Sequence, residues 1–229
     1  MKKIFLLILV ICLYQYIIAQ DKGFSIGLGG SFDKRLNEYY DNPWVGFDHE
    51  FSDISEFSFG TQINYHFSDR IGLRSGISYS RKGYKLIYAW ITPDGNNGVG
   101  DPLIPLESEF RLKYLDVPVS LFYKIVNANH YTFSASIGMM NSINIGESEI
   151  SEMGDGTSKE TAYNVFNTNS YLAGARIGLI NNIDISENVF ISIEPYFMYN
   201  FFTLNDTDIE KSDFAFGGYL SVNYRLNKK

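Results

Sequence analysis

Apolar and polar residues alternate with period two along most of the chain after residue 20. A β-strand points successive side chains to opposite faces of a sheet, so this period is typical of strands. No helical periodicity of useful length interrupts it. The pattern predicts eight strands, over residues 24–32, 57–67, 71–84, 110–125, 131–145, 171–185, 189–201 and 214–226.

The connections between these strands alternate in length. Three are tight, polar and rich in turn residues, at 68–70, 126–130 and 186–188. The other four are longer, at 33–56, 85–109, 146–170 and 203–213. Every second connection of an up-and-down sheet lies at the same end, so all the long loops share one end. Outer-membrane barrels have this asymmetry, with short periplasmic turns and longer extracellular loops.

The two faces of the strands differ in size more than in charge. In the first strand Ile26 and Leu28 alternate with Gly27 and Gly29, and the other strands repeat the pattern. A soluble lipocalin-like barrel is the alternative, but its water-facing side would be rich in charged residues. Small residues suit the narrow interior of eight strands, and only lipid favours large apolar residues outside. We therefore predict an all-β fold, an eight-stranded antiparallel up-and-down transmembrane β-barrel.

The first residues resemble a secretory signal peptide. Lys2 and Lys3 form a positive segment, an apolar segment follows at 4–13, and Ala19 is a suitable last residue before cleavage. A transmembrane anchor is the alternative, although polar residues shorten its apolar run. We expect a signal peptide at 1–19 and an outer-membrane barrel domain at 20–229.

Cleavage at that position changes the composition of the chain. The single cysteine, Cys12, is removed, so the mature chain has no disulfide and no thiolate metal site. The loss of two lysines takes the formal charge from −7 to −9. Such an acidic chain is not expected to bind nucleic acid.

Four charged residues fall on the small, polar face of the strands: Arg74, Asp116, Arg176 and Glu194. Buried charges need partners, so we expect a structural polar network in the lumen. One hypothesis is a salt-bridged plug that leaves no open pore. The alternative, which we favour, is that the charges neutralise one another without any gating role, because polar interiors are usual in such barrels.

Two prolines fall inside predicted strands, Pro118 and Pro195. Proline has no N–H for the ladder, and a closed barrel has no edge on which to place it. Bulges or frayed pairing are therefore expected at both positions.

The segment Tyr-Leu-Asp-Val-Pro-Val-Ser-Leu-Phe-Tyr at 114–123 resembles the fourth strand of the PorT-like outer-membrane β-barrel family of Bacteroidetes. The Ala19-Gln20 junction is similar as well. The resemblance implies an eight-stranded barrel in the outer membrane of a Gram-negative cell, in contact with its lipid. It transfers no chemistry, and PorT itself resembles a component of protein secretion.

The C-terminus partly matches the signal that the barrel-insertion machinery recognises. Leu220, Val222 and Tyr224 supply the alternation and the aromatic residue. The chain then departs from that signal by continuing through residues 226–229. The insertion machinery is the partner this segment predicts during biogenesis.

Candidate chemistry is sparse. His49 lies in the first long loop, whereas His66 and His130 lie near the short turns, so the barrel height keeps them from forming one site. The segment 94–98 with Asp101 offers oxygen ligands for Ca²⁺ but departs from the EF-hand template, so a solvated turn is the preferred interpretation. We expect no cofactor and no metal.

These observations predict a non-enzymatic outer-membrane protein that acts as a structural, adhesion or partner-binding protein through its long loops. The alternatives are an outer-membrane enzyme for lipid A modification or proteolysis, and a secretion accessory or narrow channel.

Overall fold

The computed structural model describes residues 23–39, 48–53, 55–89, 105–153, 156–161, 169–202 and 210–226. The predicted signal peptide at 1–19 and the candidate calcium loop at 94–101 lie outside these residues. The backbone of His49 is described but its side chain is not.

Ten strands make up the described structure: β1 Phe24–Tyr39, β2 Asp48–Asp53, β3 Glu56–His66, β4 Ile71–Ala89, β5 Pro105–Ala128, β6 Tyr131–Met153, β7 Ser158–Thr161, β8 Tyr171–Asp184, β9 Val189–Asn200 and β10 Glu210–Arg225. The described residues include no helix that is long and apolar enough to cross a membrane.

Eight of these strands form a closed antiparallel ring. The order around it is β1, β3, β4, β5, β6, β8, β9, β10, and β10 pairs back onto β1. The closing register places Ser25 opposite Arg225 and Leu36 opposite Phe214. The predicted eight-stranded up-and-down barrel is therefore confirmed.

Several strands are longer than the sequence pattern predicted, and two strands were missed. β4 continues to Ala89, β5 begins at Pro105 and β6 continues to Met153, so parts of the predicted long loops are sheet. β2 pairs with β4, and β7 pairs with β6. Both faces of these segments lie beyond the lipid, so the apolar alternation that marks a strand is lost there.

These extensions form a sheet that continues beyond the membrane-facing part of the barrel. We call it the outer sheet, and it consists of residues 48–53, 81–89, 105–113, 146–153 and 158–161. Its strand order is β2, β4, β5, β6, β7. It lies at the long-loop end, which is the extracellular end of an outer-membrane barrel.

The outward side chains of the barrel strands form the apolar belt. Leu28 is 69% exposed, Ile137 64% and Leu220 56%, although all three are large and apolar. The small and polar side chains of the opposite set, such as Ser192 and Asn223, are buried inside. The predicted assignment of the two faces is confirmed, because only a lipid environment makes this arrangement favourable.

The belt has defined limits and tyrosines near them. On β4 it runs from Ile71 to Tyr79, and on β5 from Ile125 to Leu115. Two tyrosine hydroxyls near its rims donate to asparagines on the outer surface. Tyr131 Oη lies 2.7 Å from Asn181 Oδ1, and Tyr171 Oη lies 2.7 Å from Asn141 Oδ1. Each pair satisfies a polar group that would be costly in lipid.

The ladder between β4 and β5 is interrupted at Pro118. Pairing stops at Ser75 opposite Val119 and resumes at Ser78 opposite Asp116, with no change of register. The Ser75 hydroxyl donates to the Pro118 carbonyl at 3.0 Å and replaces one backbone bond. The predicted frayed pairing is confirmed here.

A similar interruption lies at Pro195 on β9. The ladder with β8 lacks the pairs between Gly178 and Asn181. The Asn181 side-chain amide donates to the Leu179 carbonyl at 3.4 Å. Both prolines thus break one ladder locally, and a polar side chain on the outer surface compensates for part of the loss.

Candidate functional site: the lumen network

The centre of the lumen network is the carboxylate of Glu194 on β9, which is 2% exposed. Arg74 Nη1 on β4 donates to it at 2.6 Å, and Arg176 Nη2 on β8 lies 3.2 Å away. The Ser136 hydroxyl on β6 donates at 2.9 Å. Three strands therefore supply donors to one buried carboxylate, which offsets the loss of its hydration.

Arg74 uses its remaining donors on neighbouring strands. Its Nε donates to Asn64 Oδ1 at 2.7 Å, and its Nη2 lies 3.3 Å from the Ser192 hydroxyl. Asn64 in turn donates to the Ser25 hydroxyl at 3.1 Å. The guanidinium thus joins β3, β4 and β9 through directional bonds.

Arg176 stacks on an aromatic ring rather than using all its donors on carboxylates. Its guanidinium lies 3.6 Å from the centroid of the Tyr196 ring. The Tyr196 hydroxyl donates to Asp33 on β1. The Ser31 hydroxyl also donates to Asp33, at 2.9 Å. A cation over an aromatic face gains electrostatic attraction in a dry environment.

Asp116 does not join the cluster around Glu194. Lys82 Nζ lies 3.3 Å from Asp116 Oδ1 and 3.1 Å from the Ser142 hydroxyl. Lys82 was missed in the sequence analysis, although it shares the parity of Arg74 and Ser78 on β4. Following the alternation further along β4 would have placed Lys82 on the inner face.

A further buried pair was missed because both residues fell in the predicted loop at 33–56, which the structure shows to be partly strand. Arg35 Nε lies 2.5 Å from Glu56 Oε1, and both side chains are buried. With these two pairs, the lumen network contains four cations and four anions. The cations are Arg35, Arg74, Lys82 and Arg176, and the anions are Asp33, Glu56, Asp116 and Glu194.

The cavity between these side chains is small. Its volume is about 30 Å³. The polar side chains around Glu194 and Asp116 line it.

Lumen glycines make room for the large polar residues beside them. A Cβ on Gly178 would lie 2.6 Å from Glu194 Oε1 and 2.8 Å from the Ser136 hydroxyl. A Cβ on Gly72 would collide with the ring of Phe122. The small face that the sequence shows is therefore a packing partner of the charged residues.

Apolar residues close the lumen on the long-loop side. Leu112, Tyr114 and Leu172 form a buried cluster against which Tyr84 packs. Tyr84 also stacks on Phe110 with centroids 4.9 Å apart. Tyr84, Phe110 and Leu112 belong to the outer sheet, so its base closes the lumen at this end.

A different set occupies the short-turn end. The rings of His66 and Phe122 meet edge-on with centroids 5.1 Å apart. Arg225 lies 4.7 Å over the Phe190 ring and 2.5 Å from Asp184 Oδ1. Both ends of the lumen thus hold packed side chains.

The described side chains provide little for metal or acid–base chemistry. They contain no cluster of three or more His, Cys, Asp or Glu residues that could hold a metal ion. The lumen carboxylates Asp116 and Glu194 are instead bonded to cations.

A closed barrel with an exposed apolar belt and a polar lumen defines an integral β-barrel protein of the bacterial outer membrane. The chain belongs to the outer membrane protein beta-barrel domain family, whose model matches residues 18–208. The protein is therefore located in the outer membrane of a Gram-negative cell. No curated protein matches the chain.

Solved structures of other outer-membrane proteins are similar in fold. OprG from Pseudomonas aeruginosa is 11% identical with a TM-score of 0.51, over 90% of this chain and 96% of that chain. Ail of Yersinia pestis is 14% identical with a TM-score of 0.40, over 90% and 97%. Neisserial surface protein A is 14% identical with a TM-score of 0.44, over 88% and 95%. At these identities the likeness concerns the fold alone.

Proposed function

We propose that this protein is a non-enzymatic outer-membrane barrel that binds a protein partner or an adhesion target through its outer sheet. The observation that carries the proposal is the continuation of β4, β5 and β6 beyond the apolar belt as one paired sheet. Short strands flank it on both sides, β2 and β7. Exposed sheet edges bind extended segments of other proteins by main-chain hydrogen bonds.

Site-specific photo-crosslinking on intact cells tests this proposal. A crosslinking residue at Glu160 on β7 reports on the outer sheet, and one at Glu187 in a short turn is the matched control. Both side chains are exposed. We expect a defined adduct from position 160 and none from position 187. No adduct at position 160 on cells that bind their target would contradict the proposal.

A secretion accessory role is the second candidate, and membership of the PorT-like family is part of it. The strand sequence at 114–123, whose Tyr114 is fully buried, supports this candidate. It requires a periplasmic contact, so the same experiment distinguishes the two roles. An adduct at position 187 and none at position 160 would favour the secretion role.

The lumen network supports a structural role rather than conduction. Three cations and three anions line a cavity of about 30 Å³, and apolar side chains pack at the long-loop end. We expect no steady conductance in planar-bilayer recording of the refolded barrel, compared with protein-free detergent as the baseline. A large steady conductance would contradict this prediction.

The absence of enzymatic activity is part of the proposal and has its own test. The candidate with the best neighbouring acids in the sequence is His49, between Asp48 and Glu50. We expect His49→Ala to leave the lipid A profile and outer-membrane proteolysis unchanged. A changed profile in the variant would favour the enzyme alternative.

Two further parts of the proposal concern biogenesis. The signal peptide at 1–19 is cleaved after Ala19, so intact mass and N-terminal sequencing of the mature protein should begin at Gln20. The barrel-insertion machinery acts on β10 through Leu220, Val222 and Tyr224, and depletion of that machinery should reduce the heat-modifiable form on gels.

A further inference from the structure

Two cations lie directly opposite each other at the outer limit of the apolar belt. The last belt pair on β4 and β5 is Tyr79 opposite Leu115, and the next outward pair is Arg81 opposite Lys113. Opposed residues in an antiparallel pair have Cβ atoms roughly 4.5–5.5 Å apart, and like charges there destabilise the sheet. This arrangement therefore requires a compensating anion or carries a cost in stability.

The nearest carboxylates lie further from the membrane and are already engaged. Glu109 accepts from Arg81 Nη2 at 2.7 Å and from Arg111 Nε at 2.6 Å. Glu107 lies 2.5 Å from Lys85 Nζ. On the outward face of β4 and β5 the cations therefore come first after the belt, and the acids follow.

Lys113 makes no ion pair among the described residues. Its side chain is exposed, and its stem leans toward β6, with Cδ 3.8 Å from the position of a Cβ on Gly146. Arg81 reaches across to β5, where it bonds Glu109 further from the belt. Arg81 and Lys113 thus form a pair of outward cations just beyond Tyr79 and Leu115, and we call it the rim cation pair.

We propose that Arg81 and Lys113 bind a phosphate group of an outer-leaflet glycolipid of the lipid A type. The rim cation pair lies at the long-loop end, where the outer-leaflet headgroups begin, and the belt residues next to it contact the acyl chains. Proteins bind phosphate with arginine, whose planar guanidinium offers two parallel N–H donors, and with lysine, whose ammonium acts as a compact point charge. The inference rests on the outer-membrane location and is independent of the proposed partner-binding role.

Native mass spectrometry of the barrel in mixed detergent micelles tests the inference. The probes are bisphosphorylated lipid A and its fully dephosphorylated form. We expect the wild type to retain the phosphorylated probe, and the double variant Arg81→Gln/Lys113→Gln to bind it roughly tenfold more weakly. Equal binding by wild type and double variant, or equal binding of both probes, would overturn the inference.

Lys34 provides the matched control. It is an exposed lysine on the outward face of β1, but it lies between the belt residues Phe32 and Leu36, and Phe216 rather than a cation lies opposite it. Lys34→Gln should bind the phosphorylated probe like the wild type. A loss of lipid A binding equal to that of the double variant would show that any surface cation can bind the probe. Displacement of the lipid by equimolar inorganic phosphate would show that the free anion is the ligand.

A charge reversal at Lys113 gives two readouts of opposite sign. Lys113→Glu places a carboxylate opposite Arg81, so the unfolding midpoint in lipid-free micelles should rise. Binding of phosphorylated lipid A should fall at least as far as in the double variant. A fall in both quantities, or unchanged lipid binding, would mean that the cation pair has no role in phosphate binding.

Discussion

Strand β4 carries two arginines, seven residues apart, in opposite environments. Arg74 points into the lumen, is 6% exposed and binds Glu194 within a neutral set of charges. Arg81 points outward just beyond the belt, is half-buried and shares Glu109 with Arg111. Inside, each charge must be balanced because dehydration is costly. Outside, water tolerates an excess of positive charge, so the same residue type remains able to bind a ligand.

The largest expected difference between the two regions is in stability. Glu194→Gln removes the carboxylate between Arg74 and Arg176, leaving two buried guanidiniums without it, and should cost about 3–5 kcal/mol of unfolding free energy. Glu109→Gln removes a half-exposed carboxylate and should cost less than about 1 kcal/mol. Urea unfolding in lipid vesicles, with gel mobility as the readout, measures the unfolding free energy of both variants. Equal losses of unfolding free energy in the two variants would contradict this distinction between the lumen and the surface beyond the belt.

A glycine substitution tests packing in the lumen against packing on the outer surface. Gly178→Ala places a methyl group against Glu194 and Ser136 and should cost about 1–3 kcal/mol. Gly218→Ala is the control, because a Cβ there meets nothing within 4 Å. The control should be close to wild type in the same unfolding assay. An unchanged unfolding free energy in Gly178→Ala would show that the network around Glu194 can adjust to the added methyl group.

The smallest expected effect is the pH dependence of the stability that Glu109 contributes. The hydrogen bond from Arg111, with the charge of Arg81, holds the pKa of Glu109 below its usual range. Its contribution to stability is therefore present above the unfolded-state pKa and is lost as pH falls through the lowered folded-state pKa. The small stability difference between wild type and Glu109→Gln should be present at neutral pH and vanish in acid. A difference that grows on acidification would have the wrong sign.

The sequence predicts the membrane-facing part of the barrel well because lipid imposes a strict alternation. The eight barrel strands, their faces and the frayed ladders at Pro118 and Pro195 all follow from it. The extensions of β4 and β6, and the short strands β2 and β7, do not. Beyond the belt lipid no longer requires an apolar outer face, so pairing there leaves little of the regular apolar alternation in the sequence.

The candidate lumen residues could be listed from the sequence but not paired. Arg74, Arg176 and Glu194 meet because of the relative stagger of β4, β8 and β9. Asp116 pairs with Lys82 instead, one further example of a contact that depends on register. Alternation identifies the side of the sheet on which a residue lies, but the height at which it meets a neighbour requires the three-dimensional structure.

The seam between β1 and β10 also has a consequence for how the molecule is made. It joins Ser25 to Arg225 and extends to Tyr39 opposite Glu210, so the first and last strands hold each other. Such pairing has the greatest sequence separation in the chain, and contacts of this kind slow folding. Until β10 has been translocated, β1 and β9 each have one unpaired edge. The nascent chain therefore needs protection from aggregation until its last residues leave the export machinery.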